Sequence, residues 1–174
     1  MIYPEFFPED RKNEIAEKAV FDRLKRVSST YDIFYSRKFV TNGIGKKPEY
    51  EIDFIVCIPE KAVLCIEVKG GIINYSGIKD EWTQNSRPMS KRPDAQASSS
   101  AHSLVHTFTD LITEMPVGWA LCFPDCDLEN TKQLPGSINA AQIIGQLDLL
   151  HPEHSLPVIF DFINYFLNSY LFCD

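Results

Sequence analysis

A chain of 174 residues with 44% hydrophobic content can bury one ordinary core and is short for two, so it reads as a single domain over 1–174. The net charge of −7 argues against a general nucleic-acid binder, but residues 1–92 hold 16 of the 17 Lys+Arg against 14 acids while 93–174 hold one against 10. The first residues carry no signal pattern and no run of 18 apolar residues occurs, which predicts a cytoplasmic protein without a membrane span; five cysteines, two within predicted strands, predict reduced thiols packed as small hydrophobes.

The first element is a helix over 10–27, with Ala16, Ala19, Val20, Leu24 and Val27 at the 3.6 spacing and Asp10 as N-cap. Glu17 falls on the inward stripe. The pattern leaves open whether its head reaches water past a packed stem or has another task. A first strand follows over 31–40, then a loop at 41–48 with Gly43, Gly45, Lys46 and Lys47, which lacks the third glycine and following helix of a nucleotide fingerprint.

Residues 51–71, EIDFIVCIPEKAVLCIEVKGG, read as two strands around a Pro59-Glu60-Lys61 break. Alternation puts Glu51, Asp53, Ile55 and Cys57 on one face of the first, and Val63, Cys65, Glu67 and Lys69 on one face of the second. The second strand is apolar on both faces until Glu67, as a central strand should be, so Asp53 and Glu67 converge at its end. Two carboxylates about 4 Å apart repel by roughly 4 kcal/mol at an effective dielectric near 20, which calls for a shared proton or a cation. Oxygen-only ligands favour Mg²⁺ or Mn²⁺, and Lys69 would then sit beside a metal-bound water or a phosphate, a constellation suited to phosphodiester hydrolysis. Gly70-Gly71 ends the strand and lets backbone approach a ligand closely.

A short strand at 72–78 precedes a polar loop at 81–92 whose Arg87, Lys91 and Arg92 are candidates for phosphate contact. Residues 93–113 form a helix, with Pro93 in its first turn and Ala97, Ala101, Leu104, Phe108 and Leu111 in register. His102 and His106 have a zinc-compatible spacing, but with neither a metalloprotease Glu between them nor a CxxC knuckle they read as a polar flank. A strand at 117–123, an acidic loop at 125–137, a short strand at 138–144 and a final aromatic helix capped at Ser155-Leu156-Pro157 complete the chain.

Asp53, thirteen intervening residues and Glu67-Val68-Lys69 resemble the D…ExK core of the PD-(D/E)xK, restriction-endonuclease-like superfamily. Ile-Asp-Phe-Ile-Val followed by Ile-Glu-Val-Lys-Gly-Gly resembles its nuclease-related domain (NERD) branch, as do Glu17-Lys18-Ala19-Val20 with Leu24, and Pro93-x-x-Gln96-Ala97 with Leu104. Ile52 stands where proline usually precedes the aspartate, Ala16 where glycine often precedes the glutamate, and Ser100 where some branches have tyrosine.

The resemblance implies an α/β restriction-endonuclease-like sandwich with a mixed central sheet, its core at about 10–125 and an extension at 138–172, and a metal-dependent nuclease acting on DNA, in repair or processing, with RNA an open alternative substrate. Asp53, Glu67 and the Val68 carbonyl would hold Mg²⁺ or Mn²⁺. Glu17 would bind through water or hold a second ion, Lys69 would orient or deprotonate the attacking water or stabilise charge, and Gln96 would contact the metal site or a phosphate. A helicase-type domain or partner often accompanies this family. The competing expectation is a catalytically silent module of the same fold that binds nucleic acid or protein.

Overall fold

A computed structural model describes residues 1–40, 49–59, 61–109, 115–127 and 133–170. The apolar run after the Pro59 break becomes strand β4 (Ala62–Val68), buried at all seven positions, and the sheet extends outward from it. Its order is β1 (Ile2–Tyr3), β2 (Asp32–Val40), β3 (Glu49–Ile58), β4, β8 (Val117–Cys122) and β9 (Ile143–Ile144). The pairs β2–β3 and β3–β4 are antiparallel, whereas β1–β2, β4–β8 and β8–β9 are parallel. Parallel neighbours need a crossover, and the β4–β8 crossover carries helix α2 (Pro93–Thr107). A second sheet of β5 (Ile73–Ser76), β6 (Glu81–Gln84) and β7 (Arg87–Pro88) lies on the same crossover.

Each face of the main sheet is covered, as an apolar central strand requires. On one face α1 (Ile15–Leu24), α3 (Gln146–Leu150) and α4 (Pro152–Tyr170) bring Val20, Phe21, Leu24, Ile159 and Phe160 against Phe54, Val56, Leu64 and Ile66. On the other, Ala101 and Leu104 of α2 pack on Ile55, Val63 and Cys65, and Trp82 of the small sheet packs with Leu121 and Phe123. This is the α/β sandwich with a mixed central sheet that the sequence implies. Among the described residues no helix is long and apolar enough to cross a membrane.

Several local expectations shift. Residues 10–27 are not one helix. A 3-10 turn (Glu9–Arg11) comes first, and α1 starts after Glu14 without a side-chain cap, so Asp10 caps nothing. The supposed loop at 81–92 is the β6–β7 hairpin: Asn85 and Ser86 take left-handed φ values of 50° and 64°, the conformation of a tight two-residue turn. Only Ile143–Ile144 of the strand expected at 138–144 pairs as a strand, after a 3-10 turn (Ala140–Gln142) capped by Asn139. The last helix begins at Pro152, three residues before Ser155, whose hydroxyl instead donates to the Asp148 carbonyl. The glycine- and lysine-bearing loop at 41–48, residue Glu60 of the turn, Leu111, and residues 128–132 of the acidic loop lie outside the described residues.

One irregularity positions everything that follows. Ser36 of β2 has φ 49° and stands opposite Asp53, between the pairs Tyr35–Phe54 and Arg37–Ile52. Before the break, Ile33, Tyr35, Phe54 and Val56 face the α1 side; beyond it, Phe39, Tyr50 and Ile52 join Ile55 and Leu104 on the α2 side. The two strands exchange faces without inserting a residue. Simple alternation, which groups Ile52 with Phe54 and Glu51 with Ile55, therefore fails at Asp53, because a left-handed residue rotates the chain where strict pleating would carry it straight.

Candidate active-site cleft

Pairing between β3 and β4 ends at Phe54–Ile66, so the next residues in register, Asp53 and Glu67, face each other where the ladder stops. The Val68 N–H, which has no strand carbonyl across from it, donates to Asp53 Oδ2 at 2.8 Å. A carboxylate here takes the place of a backbone acceptor. Glu67 is only 5% exposed, and its Oε1 accepts from Lys69 Nζ at 2.6 Å. Burial, then the neighbouring Glu67 charge, pushes the Asp53 carboxyl up to about 8, so without a cation the pair retains a proton at neutral pH.

These groups line a cleft of about 990 Å³ between α1, the β3–β4 exit and the start of α2. Glu17 lies on its α1 wall. Burial raises its carboxyl against the opposing effect of the hydrogen bond it accepts from Tyr35 Oη, and Arg11 Nη1 stands 3.7 Å from its Oε2. Arg11 also binds Glu51 Oε1 at 2.6 Å, an oxygen shared with Ser36 Oγ. Glu51 titrates below the usual carboxylate range, because hydrogen bonds from Ser36 and Arg11 outweigh its burial. Burial and the bond to Glu17 raise Tyr35, which keeps its phenol a neutral donor.

Gln96, in the first turn of α2, lines the cleft beside Lys69. No hydrogen bond within the described residues engages its side chain. Val68 contributes its N–H to Asp53. Arg92 lines the cleft with its guanidinium paired to Asp80 at 2.8 Å and to Asp94 at 3.1 Å. His102 is exposed and His106 is exposed, and Cys122 and Cys126 are buried elsewhere, Cys126 Sγ donating to the Gly71 carbonyl. The cysteines among the described residues are free thiols.

The fold thus brings Asp53, Glu67 and Lys69 together at the strand exit, with Lys69 bonded to Glu67, and sets Glu17 and Gln96 on the walls of the same cleft. Sequence spacing missed Arg11, Tyr35, Ser36 and Glu51, the network that holds Glu17. Tyr35 was visible only as a strand residue, and Arg11 as one charge among several near the helix start.

No group of three or more His, Cys, Asp and Glu among the described residues is arranged to hold an ion. Asp53 and Glu67 each have one oxygen committed, and the other meets no donor among the described residues. Mg²⁺ is commonly held by one or two carboxylates with several waters retained, and a cation between the pair would replace the proton that their repulsion demands. The donors present fit such an ion.

The close seat of α1 has a steric origin. A Cβ on Gly70, directly after Lys69, would lie 2.7 Å from the Ala16 Cβ. The expected ligand approach at this glycine is in fact the approach of a helix, the one that carries Glu17. Gly71 has φ 79°, and its N–H donates to Asp125.

The family model of the nuclease-related domain matches residues 12–124, more than half of the chain. No curated protein matches it.

Proposed function

Because the chain belongs to the nuclease-related domain family, we propose that it is a metal-dependent nuclease that hydrolyses DNA phosphodiester bonds. The observation that supports this most directly is the juxtaposition of Asp53, Glu67 and Lys69 at the open end of the β3–β4 ladder. Asp53 and Glu67 would hold Mg²⁺ or Mn²⁺ with their uncommitted oxygens. When bound, the ion supplies a Lewis acid for the phosphoryl oxygen and lowers the pKa of a coordinated water.

The chain's own groups do the rest. Lys69 is bonded to Glu67, which fixes the ammonium at the cleft as a donor; it orients the attacking water or takes up charge that develops on the phosphate oxygens. Glu17, held by Tyr35 and Arg11, presents an acid on the opposite wall that would reach the ion through water. Gln96 offers an uncharged amide to a phosphate oxygen or to the hydrated ion.

A cleavage assay on linear and circular DNA with Mg²⁺, Mn²⁺ or EDTA tests this reading. Cleavage should need the divalent ion and should drop by at least 10²-fold in Glu67→Ala and in Lys69→Ala, with both variants retaining the fold. Undiminished cleavage in these variants, or DNA binding by the wild type with no cleavage under any divalent ion, defeats the enzymatic assignment.

A further inference from the structure

Charge is segregated around the cleft. Beside the acid-rich cleft lies a second groove of about 770 Å³, formed by the β6–β7 hairpin and the start of α2, and continuous with the first through Lys69, Lys91 and Gln96. Among the described residues no Asp or Glu lines it, and its cations are Lys69, Arg87 and Lys91, in a protein whose net charge is −7.

Pairing separates these cations further. Arg11, Lys69 and Arg92 each have a carboxylate partner within 3.1 Å. Arg87 and Lys91 are exposed and form no ion pair among the described residues. The groove is also held in place before any ligand arrives: Gln84 Nε2 donates to the Gly70 carbonyl, Asn85 Oδ1 accepts from the Ile72 N–H, and Trp82 Nε1 donates to Asp94 at the start of α2. The hairpin is therefore anchored both to the exit of β4, next to Lys69, and to the helix that carries Gln96.

We infer that this groove binds the DNA backbone flanking the scissile phosphate, with Arg87 and Lys91 each neutralising one phosphate. The inference rests on the nuclease reading and extends it from the cleaved bond to the strand beside it. Arg87 has the planar fork suited to a phosphate, and Lys91 is a point charge at the junction of groove and cleft.

The test is the salt dependence of DNA binding, followed by fluorescence anisotropy in an Asp53→Asn background that prevents turnover. Each lost phosphate contact lowers the slope of log K against log[salt] by about one unit. Arg87→Ala/Lys91→Ala should therefore lower it by about two. Arg26→Ala/Lys61→Ala, which removes the same charge from exposed sites away from the groove, should leave the slope unchanged, and Arg87→Lys should retain it. An unchanged slope in the groove variant, an equal fall in the control pair, or no measurable binding by the parent overturns the assignment. Wild-type cleavage measured in parallel keeps the outcomes separate: cleavage with an unchanged slope defeats the groove alone, and no cleavage under any divalent ion defeats the nuclease reading whatever the slope does.

Discussion

The two ends of the β3–β4 hairpin obey different rules. Near the turn, Ile58 pairs with Ala62, Cys57 with Val63 and Val56 with Leu64, and the side chains alternate between two apolar layers. At the far end the ladder stops, the faces exchange at Ser36, and the acceptor for the Val68 N–H is the carboxylate of Asp53. The comparison shows how a sheet accommodates charge. It substitutes a side-chain oxygen for a missing carbonyl, so the acid is built into the hydrogen-bond pattern rather than inserted into a packed layer. The regular end supplies stability, and the open end gives some of it up to keep two acids together.

The widest separation between the ends comes from truncation at the regular one. Leu64 has 0% exposure, and Leu64→Ala should cost about 2–5 kcal/mol in urea or thermal unfolding. A loss below about 1 kcal/mol would show that β4 is not the centre of the core.

At the open end the smaller, opposite effect is expected, and it depends on pH. The folded Asp53 carboxyl titrates near 8, above the ordinary carboxylate value of about 4, so the native state binds the extra proton. Its contribution to stability is present below pH about 4 and is lost as pH rises toward 8. In EDTA, Asp53→Asn should match the wild type near pH 4 and be the more stable of the two at pH 8, as read from unfolding midpoints across that range. A gap that stays constant with pH would mean that neither burial nor the Glu67 charge raises the Asp53 carboxyl.

The smallest effect belongs to the network next to the break. Tyr35→Phe removes the phenol that donates to Glu17 while keeping the ring that packs on Phe54 and Phe21. It should cost about 1 kcal/mol or less in stability. A loss as large as that of Leu64→Ala would place this polar cluster among the main supports of the fold.

The hairpin, its acids and Lys69 were legible in the sequence because strand alternation and apolar runs are local signals, and the end of a buried strand is where charge becomes visible. The exchange of faces was not, since nothing in Ser36 itself announces a left-handed residue. Arg11 and Tyr35 come from a 3-10 turn and a strand far from Glu51 in the chain, and only the docking of α1 unites them with Glu17. The β6–β7 hairpin was overlooked because Asn85-Ser86 lacks the glycine that usually marks such a turn, and because Trp82, its anchor, finds its partner Asp94 in the next helix.

The contact between Ala16 and Gly70 acts as a spacer whose thickness is already minimal on the strand side. It sets how near the helix bearing one acid can come to the strand bearing another, and no smaller residue than glycine exists to bring them nearer on the strand side. Any homologous chain with a bulkier residue at either position must hold its glutamate farther from the strand exit, and its cleft must be correspondingly wider.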